Sequence, residues 1–207
     1  MQENLNDQSS FKSELKLFKK QFAKTLKNLK KNHPEISKLP CLITISQPEA
    51  GKSTYLMKRD PEAETYHIET MTDGSCHFAV SKQAVWLEVP GVFILPRKQP
   101  GFVKAFWNTL AELLQKQTIV TPPKTLLIIL DIYDILTRSK ISNSNHLTQL
   151  NTALRYFSDI YKQPINTSLF LNKCDLIPGF NEFFCDRDSD FHKQPWGFGL
   201  PHDRETP

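Results

Sequence analysis

Three short runs carry residues whose types and spacing suit nucleotide chemistry. In Ser46-Gln47-Pro48-Glu49-Ala50-Gly51-Lys52-Ser53 a glycine precedes a lysine and a hydroxyl. A loop of this kind, entering a helix, turns backbone N–H groups towards phosphate oxygens. Gly51 lets the backbone approach closely, Lys52 reaches the β- and γ-phosphates, the Ser53 hydroxyl ligates Mg2+, and Thr54 completes the phosphate-facing stretch. Two residues depart from that chemistry: Ser46 stands where the strict motif has its first glycine, and Glu49 sets a carboxylate in a loop meant for anions.

The second run is Glu88-Val89-Pro90-Gly91. An acid at this point addresses Mg2+ through water, and the glycine N–H senses a γ-phosphate. Glu88 is one methylene longer than the aspartate usual in this role. Val92 follows where a glutamine would orient an attacking water, which valine cannot do. The third run is Asn172-Lys173-Cys174-Asp175. The Asp175 carboxylate can accept two hydrogen bonds from the guanine N1–H and exocyclic amine, an edge adenine lacks. Lys173 would lie along the base plane, and Asn172 would tie this run to the first loop. The ligands expected are GTP, or ATP, with Mg2+ held through Ser53. Thr70 and Thr72 are candidates for a further Mg2+ hydroxyl, with ordinary polar loop residues as the commoner reading. Asp131 and Asp134 read as helix caps. Cys185 with His192 does not make a zinc site, because no second pair completes it.

Each run alone is a weak signal; their order and the elements that position them give them weight. Leu39–Ile45 is a short apolar run suited to a buried parallel strand. A helix opens at Gly51 and runs to about Arg59. Tyr66–Ile68, His77–Val80 and Ala84–Val89 read as strands, the first two separated by the turn-like Thr72-Asp73-Gly74-Ser75. A helix follows from about Phe102 to Lys116. Thr125–Leu130 is the most apolar strand. Leu147, Leu150, Leu154, Phe157 and Ile160 mark a second amphipathic helix, and Thr167–Leu171 is the last clear strand. Strands alternating with helices predict an α/β fold, a mostly parallel sheet covered on both faces. With the three runs at strand ends, this is a GTPase-like P-loop NTPase domain.

At 207 residues the chain can bury one sizeable core. With 39% hydrophobic and 23% charged residues, it has the composition of a soluble globular protein. Its polar start and lack of a long apolar run predict a soluble, intracellular chain. Cys41, Cys76, Cys174 and Cys185 form no CxxC pair, so no disulfide framework is expected. Up to Pro40 there are nine lysines against four acids, a net +5, whereas the whole chain carries +4. The basic character belongs to the N-terminal arm, which argues against a nucleic-acid-binding core.

In that arm Phe11, Leu15, Phe18, Phe22, Leu26 and Leu29 recur at spacings of three and four. This predicts an amphipathic helix over 11–38, capped by Ser9 or Ser10 and ended by Asn32-His33-Pro34, after a disordered tail over 1–10. The domain proper spans 39–207. Three readings of the helix stay open: its stripe packs on the domain with the lysines solvated, it lies on an anionic membrane surface, or it binds a partner.

With these residues in hand, the chain resembles the IcmF/TssM family of type IVB and type VI secretion. Leu39-Pro40-Cys41-Leu42-Ile43 is similar to that family's lead into its phosphate loop, and Ala84–Gly91 to its Ala-Val-Leu-Leu-Asp-Thr-Ala-Gly. Asn172–Phe184 resembles its Thr-Lys-Cys-Asp-Leu-Leu-x-Gly-Phe-x-Glu-Phe-Phe stretch, the most specific match. Trp196-Gly197-Phe198 with Leu200-Pro201 resembles its Trp-Gly-Phe-Thr-Leu-Pro. The resemblance implies a GTPase-like domain on the cytoplasmic face of the bacterial inner membrane, part of a much larger protein, often with a DotU/TssL-like partner. It implies Lys52 and Ser53 as phosphate and Mg2+ residues, Glu88 and Gly91 as the switch pair, and Lys173 and Asp175 as base readers. The leading expectation is a scaffold domain with weakened nucleotide binding. The alternatives are an active GTPase switch and a nucleotide-metabolising kinase, the latter disfavoured by the Asn-Lys-Cys-Asp run.

Overall fold

The computed structural model describes residues 2–68, 75–94, 100–187 and 190–191. It resolves into two compact units, 1–173 and 174–207, rather than dividing near residue 39.

In the first unit the chain runs α1 (Gln2–Asn32), β1 (Cys41–Ser46), α2 (Lys52–Arg59), β2 (Glu64–Ile68), β3 (Cys76–Val80) and β4 (Val85–Val89). It continues with α3 (Pro100–Lys116), β5 (Thr125–Asp131), α4 (Ile132–Thr137), α5 (Lys140–Ile160) and β6 (Asn166–Asn172). One-turn 3-10 helices lie at Ile36–Lys38 and Gly91–Phe93. The six strands form one sheet in the order β2-β3-β4-β1-β5-β6. β4, β1, β5 and β6 pair in parallel; β3 runs antiparallel to both β2 and β4. This is the mostly parallel, GTPase-like α/β frame with its loop–helix unit after the central strand.

Side-chain alternation gives the central strands two covered faces, whereas the edge strand β6 is mostly exposed. Cys41, Ile43 and Ile45 of β1 share one core with Leu87, Ile128 and the buried stripes of α1, α3 and α5. Leu42 faces the other way, with Trp86, Leu127 and Ile129, under α2. That second face turns polar towards the C-terminal ends of the strands, where Thr44 is level with Glu88 and Glu88 with His77.

α1 is part of the first core, not an arm beside it. Phe18, Phe22, Leu26 and Leu29 are buried, with Phe18 against Phe106 of α3 and Phe22 against Phe78 of β3. The helix starts at Gln2, so the segment expected as a disordered tail is helical, and Ser9 and Ser10 lie inside the helix instead of capping it. No Pro or Gly interrupts the sequence before His33, which is why the turns continue. Asn32 ends it ahead of Pro34, as expected.

One residue of the predicted α5 stripe is misplaced. Leu150 and Phe157 are buried, but Leu147 is exposed and His146 takes the inward position, in step with Leu150, Ala153 and Phe157 at helical spacing. Among the described residues no helix is long and apolar enough to cross a membrane.

The second unit holds a 3-10 turn, Cys174–Leu176, and α6 (Phe180–Cys185), entered through Gly179 at φ 85°. Phe180 packs on Phe184, Phe184 on Phe191, and the Arg187 guanidinium lies over the Phe183 and Phe191 rings.

Candidate functional site

The loop between β1 and α2 has the shape its glycine requires. Glu49 and Gly51 both take left-handed backbone, φ 62° and 81°, and Gly51 leads directly into α2. The side chain of Asn172 lies hard against Gly51: an added Cβ would come 2.5 Å from its Nδ2. Asn172 Nδ2 also donates to the Ala50 carbonyl at 2.7 Å, so the end of β6 is tied to this loop. Beside the loop is a cavity of about 320 Å3 lined by residues 46–54 and Gly91.

The two groups suited to phosphate and Mg2+ are both engaged by one carboxylate. Lys52 Nζ contacts Glu88 Oε1, and Ser53 Oγ donates to the same oxygen at 2.8 Å. Glu88 is 1% exposed and Lys52 11%. His77 Nε2 lies against Glu88 Oε2, without hydrogen-bond alignment. The sheet register explains the cluster. Glu88 sits level with Thr44 on one side and His77 on the other, so its longer side chain rises from the sheet towards the start of α2.

Burial pulls the Lys52 ammonium down to about 8, which leaves it a cation at neutral pH. His77 is held down to about 4 by burial, then by the Lys52 charge and His67. Burial sets the direction, because a charged imidazole would lose its water here, and the Lys52 cation beside it adds to the effect.

Gly91 packs on the loop from the other side. A Cβ there would meet the Gln47 carbonyl carbon and Pro48 Cδ, both at 2.7 Å. The three residues after it are packed: Val92 lies against the core, Phe93 and Ile94 are buried, and Trp107 Nε1 donates to the Phe93 carbonyl at 2.9 Å. Gln47, buried inside the loop, hydrogen-bonds His146 Nδ1 of α5. The sequence reading missed both His146 and His77. His77 could have been found by counting register from Glu88, and His146 by treating its position as part of the α5 stripe.

At the other end, Lys173 takes a left-handed φ of 60° and donates to Asp131 Oδ2 at 2.6 Å. Asp131 also caps α4 by accepting from Asp134 N at 3.0 Å. Burial pushes the Asp131 carboxyl up, but Lys173 and the Asp134 and Tyr133 amides outweigh it and hold it below its ordinary value. Asp134 pairs with Arg138 at 2.7 Å. Asp175 belongs to the second unit, where it is exposed and its carbonyl accepts from Asn181 Nδ2 at 3.1 Å. The structure thus groups Gly51, Lys52, Ser53, Glu88, Gly91 and Asn172, and joins Lys173 to Asp131. Ser53 and Thr54 are exposed at the start of α2. Thr70, Thr72, His192 and the Trp196–Pro201 run lie outside the described residues.

The residues for a Mg-nucleotide fit in type, with a lysine, a hydroxyl and a close-approach glycine at one loop. They fit poorly in charge, because Glu88 engages both Lys52 and Ser53, and Glu49 adds a second carboxylate to the cavity lining. Among the described residues no three His, Cys, Asp or Glu side chains are placed to hold a metal.

Fold and site together define a GTPase-like α/β domain whose β1–α2 loop carries Gly51-Lys52-Ser53 beside a buried carboxylate. The IcmF-related N-terminal domain matches residues 103–207, and the chain belongs to that family. It is 26% identical over 171 residues to the type VI secretion system component TssM1 of Pseudomonas aeruginosa, a match covering 77% of this chain. The chain spans only 15% of that relative's length. Among solved structures, the G domain of the T. maritima FeoB iron transporter aligns over 66% of this chain and 74% of its own. That alignment has 10% identity and a TM-score of 0.37. The small COPII coat GTPase SAR1 from Encephalitozoon cuniculi, in complex with GDP, aligns over 83% and 82%, with 11% identity and a TM-score of 0.27. Likenesses this slight say nothing about the chemistry of this chain.

Proposed function

We propose that this chain is a scaffold domain of an IcmF/TssM-type secretion component, built on a GTPase frame that binds nucleotide weakly and turns it over slowly or not at all. Its place would be the cytoplasmic face of a bacterial inner membrane, beside a DotU/TssL-like partner. The observation that carries this reading is Glu88, which already engages the lysine and the hydroxyl a Mg-nucleotide would need. The packing of Val92, Phe93 and Ile94 directly after Gly91 points the same way, since a nucleotide switch requires residues there that let go.

A second reading, an active GTPase switch, is favoured by the Asn172–Ala50 hydrogen bond, which brings the start of the base-reading run to the phosphate loop. Titration of the protein with labelled GTP and ATP, with and without Mg2+, separates the two. The scaffold reading expects no binding tighter than about 100 µM for either nucleotide. Micromolar, GTP-selective binding that disappears in Asp175→Ala would establish the switch instead.

A further inference from the structure

The apolar stripe of α1 packs on the domain, as the first of its three readings expects, so a membrane or a partner could meet only its lysine face. Its apolar stripe is spent on the core, so the helix cannot lay that face into a bilayer or a partner's groove without unfolding the first unit. What remains outward is Lys12, Lys16, Lys19, Lys20, Lys24, Lys27, Lys30 and Lys31, all exposed. At 3.6 residues per turn these eight fall within an arc of about 140°, along roughly 28 Å of helix. Glu14, the one acid between Lys12 and Lys31, lies outside that arc. Among the described residues none of the eight ammonium groups is paired with a carboxylate. Leu17, at the margin of the arc, is 48% exposed.

We propose that this lysine face is an electrostatic docking strip for an anionic lipid surface, used while α1 stays packed in the fold. Three features favour headgroups over an acidic protein or a nucleic acid. The strip is all lysine, and lysine is a mobile point charge suited to a diffuse anionic plane; a shaped phosphate or carboxylate site draws on arginine's fixed fork. It is a convex helix face, and none of its lysines lines the cavities at residues 32–82 and 46–91. Among the described residues of the strip there is no exposed aromatic ring for base stacking, and Leu17 at its margin suits the edge of a headgroup layer. Attraction of this kind acts within a Debye length and weakens with salt.

The proposal names the lipid contact for the membrane location proposed above and rests on that location, but not on the nucleotide site. The test is cosedimentation with vesicles of phosphatidylcholine containing about 30% phosphatidylglycerol, against phosphatidylcholine alone. The strip predicts binding to the anionic vesicles only, falling at least about tenfold between about 50 and 500 mM salt. Lys16, Lys20, Lys24 and Lys27 changed together to Gln should lower binding at least about tenfold, with thermal melting unchanged. A second set, Lys12, Lys19, Lys30 and Lys31 to Gln, should do the same and covers the case in which the first folds badly. Equal binding to neutral vesicles, no binding to anionic ones, or capture by polyglutamate without vesicle binding would each overturn the proposal. If the strip fails on vesicles while the full-length protein still fractionates with membranes, the location stands and the strip falls.

Discussion

A buried carboxylate is costly unless its charge is met, and Glu88 is met by Lys52 and Ser53 at one oxygen, while a neutral His77 lies beside the other. Two predictions belong to this scale. Gly91→Ala places a methyl on the Gln47–Pro48 backbone, which has no slack, so we expect a loss of roughly 1–3 kcal/mol, read from the urea midpoint. A Gly91→Ala protein as stable as wild type would mean the loop can move aside. The second concerns pH. With its value near 4 in the fold against an ordinary 6.5, His77 binds fewer protons in the native state than in the unfolded chain. Its contribution is complete above 6.5 and is lost as pH falls towards 4, at up to about 1.4 kcal/mol per pH unit. His146, also lowered by burial, acts with the same sign. Chemical denaturation across that window should show the decline, and His77→Gln should flatten it; an unchanged slope in the variant would remove His77 from the account.

At the scale of elements, α1 carries the clearest consequence of packing. Phe22→Ala opens the core between α1 and β3, and a loss of about 3–5 kcal/mol is expected, whereas Lys24→Gln should stay within about 0.5 kcal/mol. Both are read by denaturant titration monitored by circular dichroism. A Phe22→Ala protein with wild-type stability would show α1 to be a detachable arm. Several elements of the first unit were legible in the sequence: Thr125–Leu130 is an apolar run, Ala84–Val89 is one broken only by Glu88, and Phe18, Phe22, Leu26 and Leu29 follow one helical stripe, whereas α4 and the first turns of α1 carry no such pattern. Leu147 misled because it stands three residues before Leu150, while the face that is buried starts one residue earlier and runs 146, 150, 153, 157. His146 takes the buried place because the loop offers it Gln47, a partner that only the folded chain brings near.

For the whole molecule, the frame and the loop between β1 and α2 were legible, and so was the Asn172 tie to that loop. What the sequence concealed is the charge arrangement inside it. Glu88 reads as a conservative change from aspartate, but in the sheet its extra methylene lets one oxygen reach Lys52 and Ser53 while the other meets His77. The His77 contact comes from the antiparallel pairing of the neighbouring strands β3 and β4, and reading each strand singly does not set the two residues side by side. The central claim is that this carboxylate keeps the loop from taking a nucleotide. Paired isothermal titrations of wild-type and Glu88→Gln protein with Mg-GTP and Mg-ATP test it directly. The account predicts at least about tenfold tighter binding in Glu88→Gln, lost again when Lys52→Ala is added. Equal affinity in wild type and Glu88→Gln, or tight wild-type binding that Glu88→Gln weakens, would contradict it.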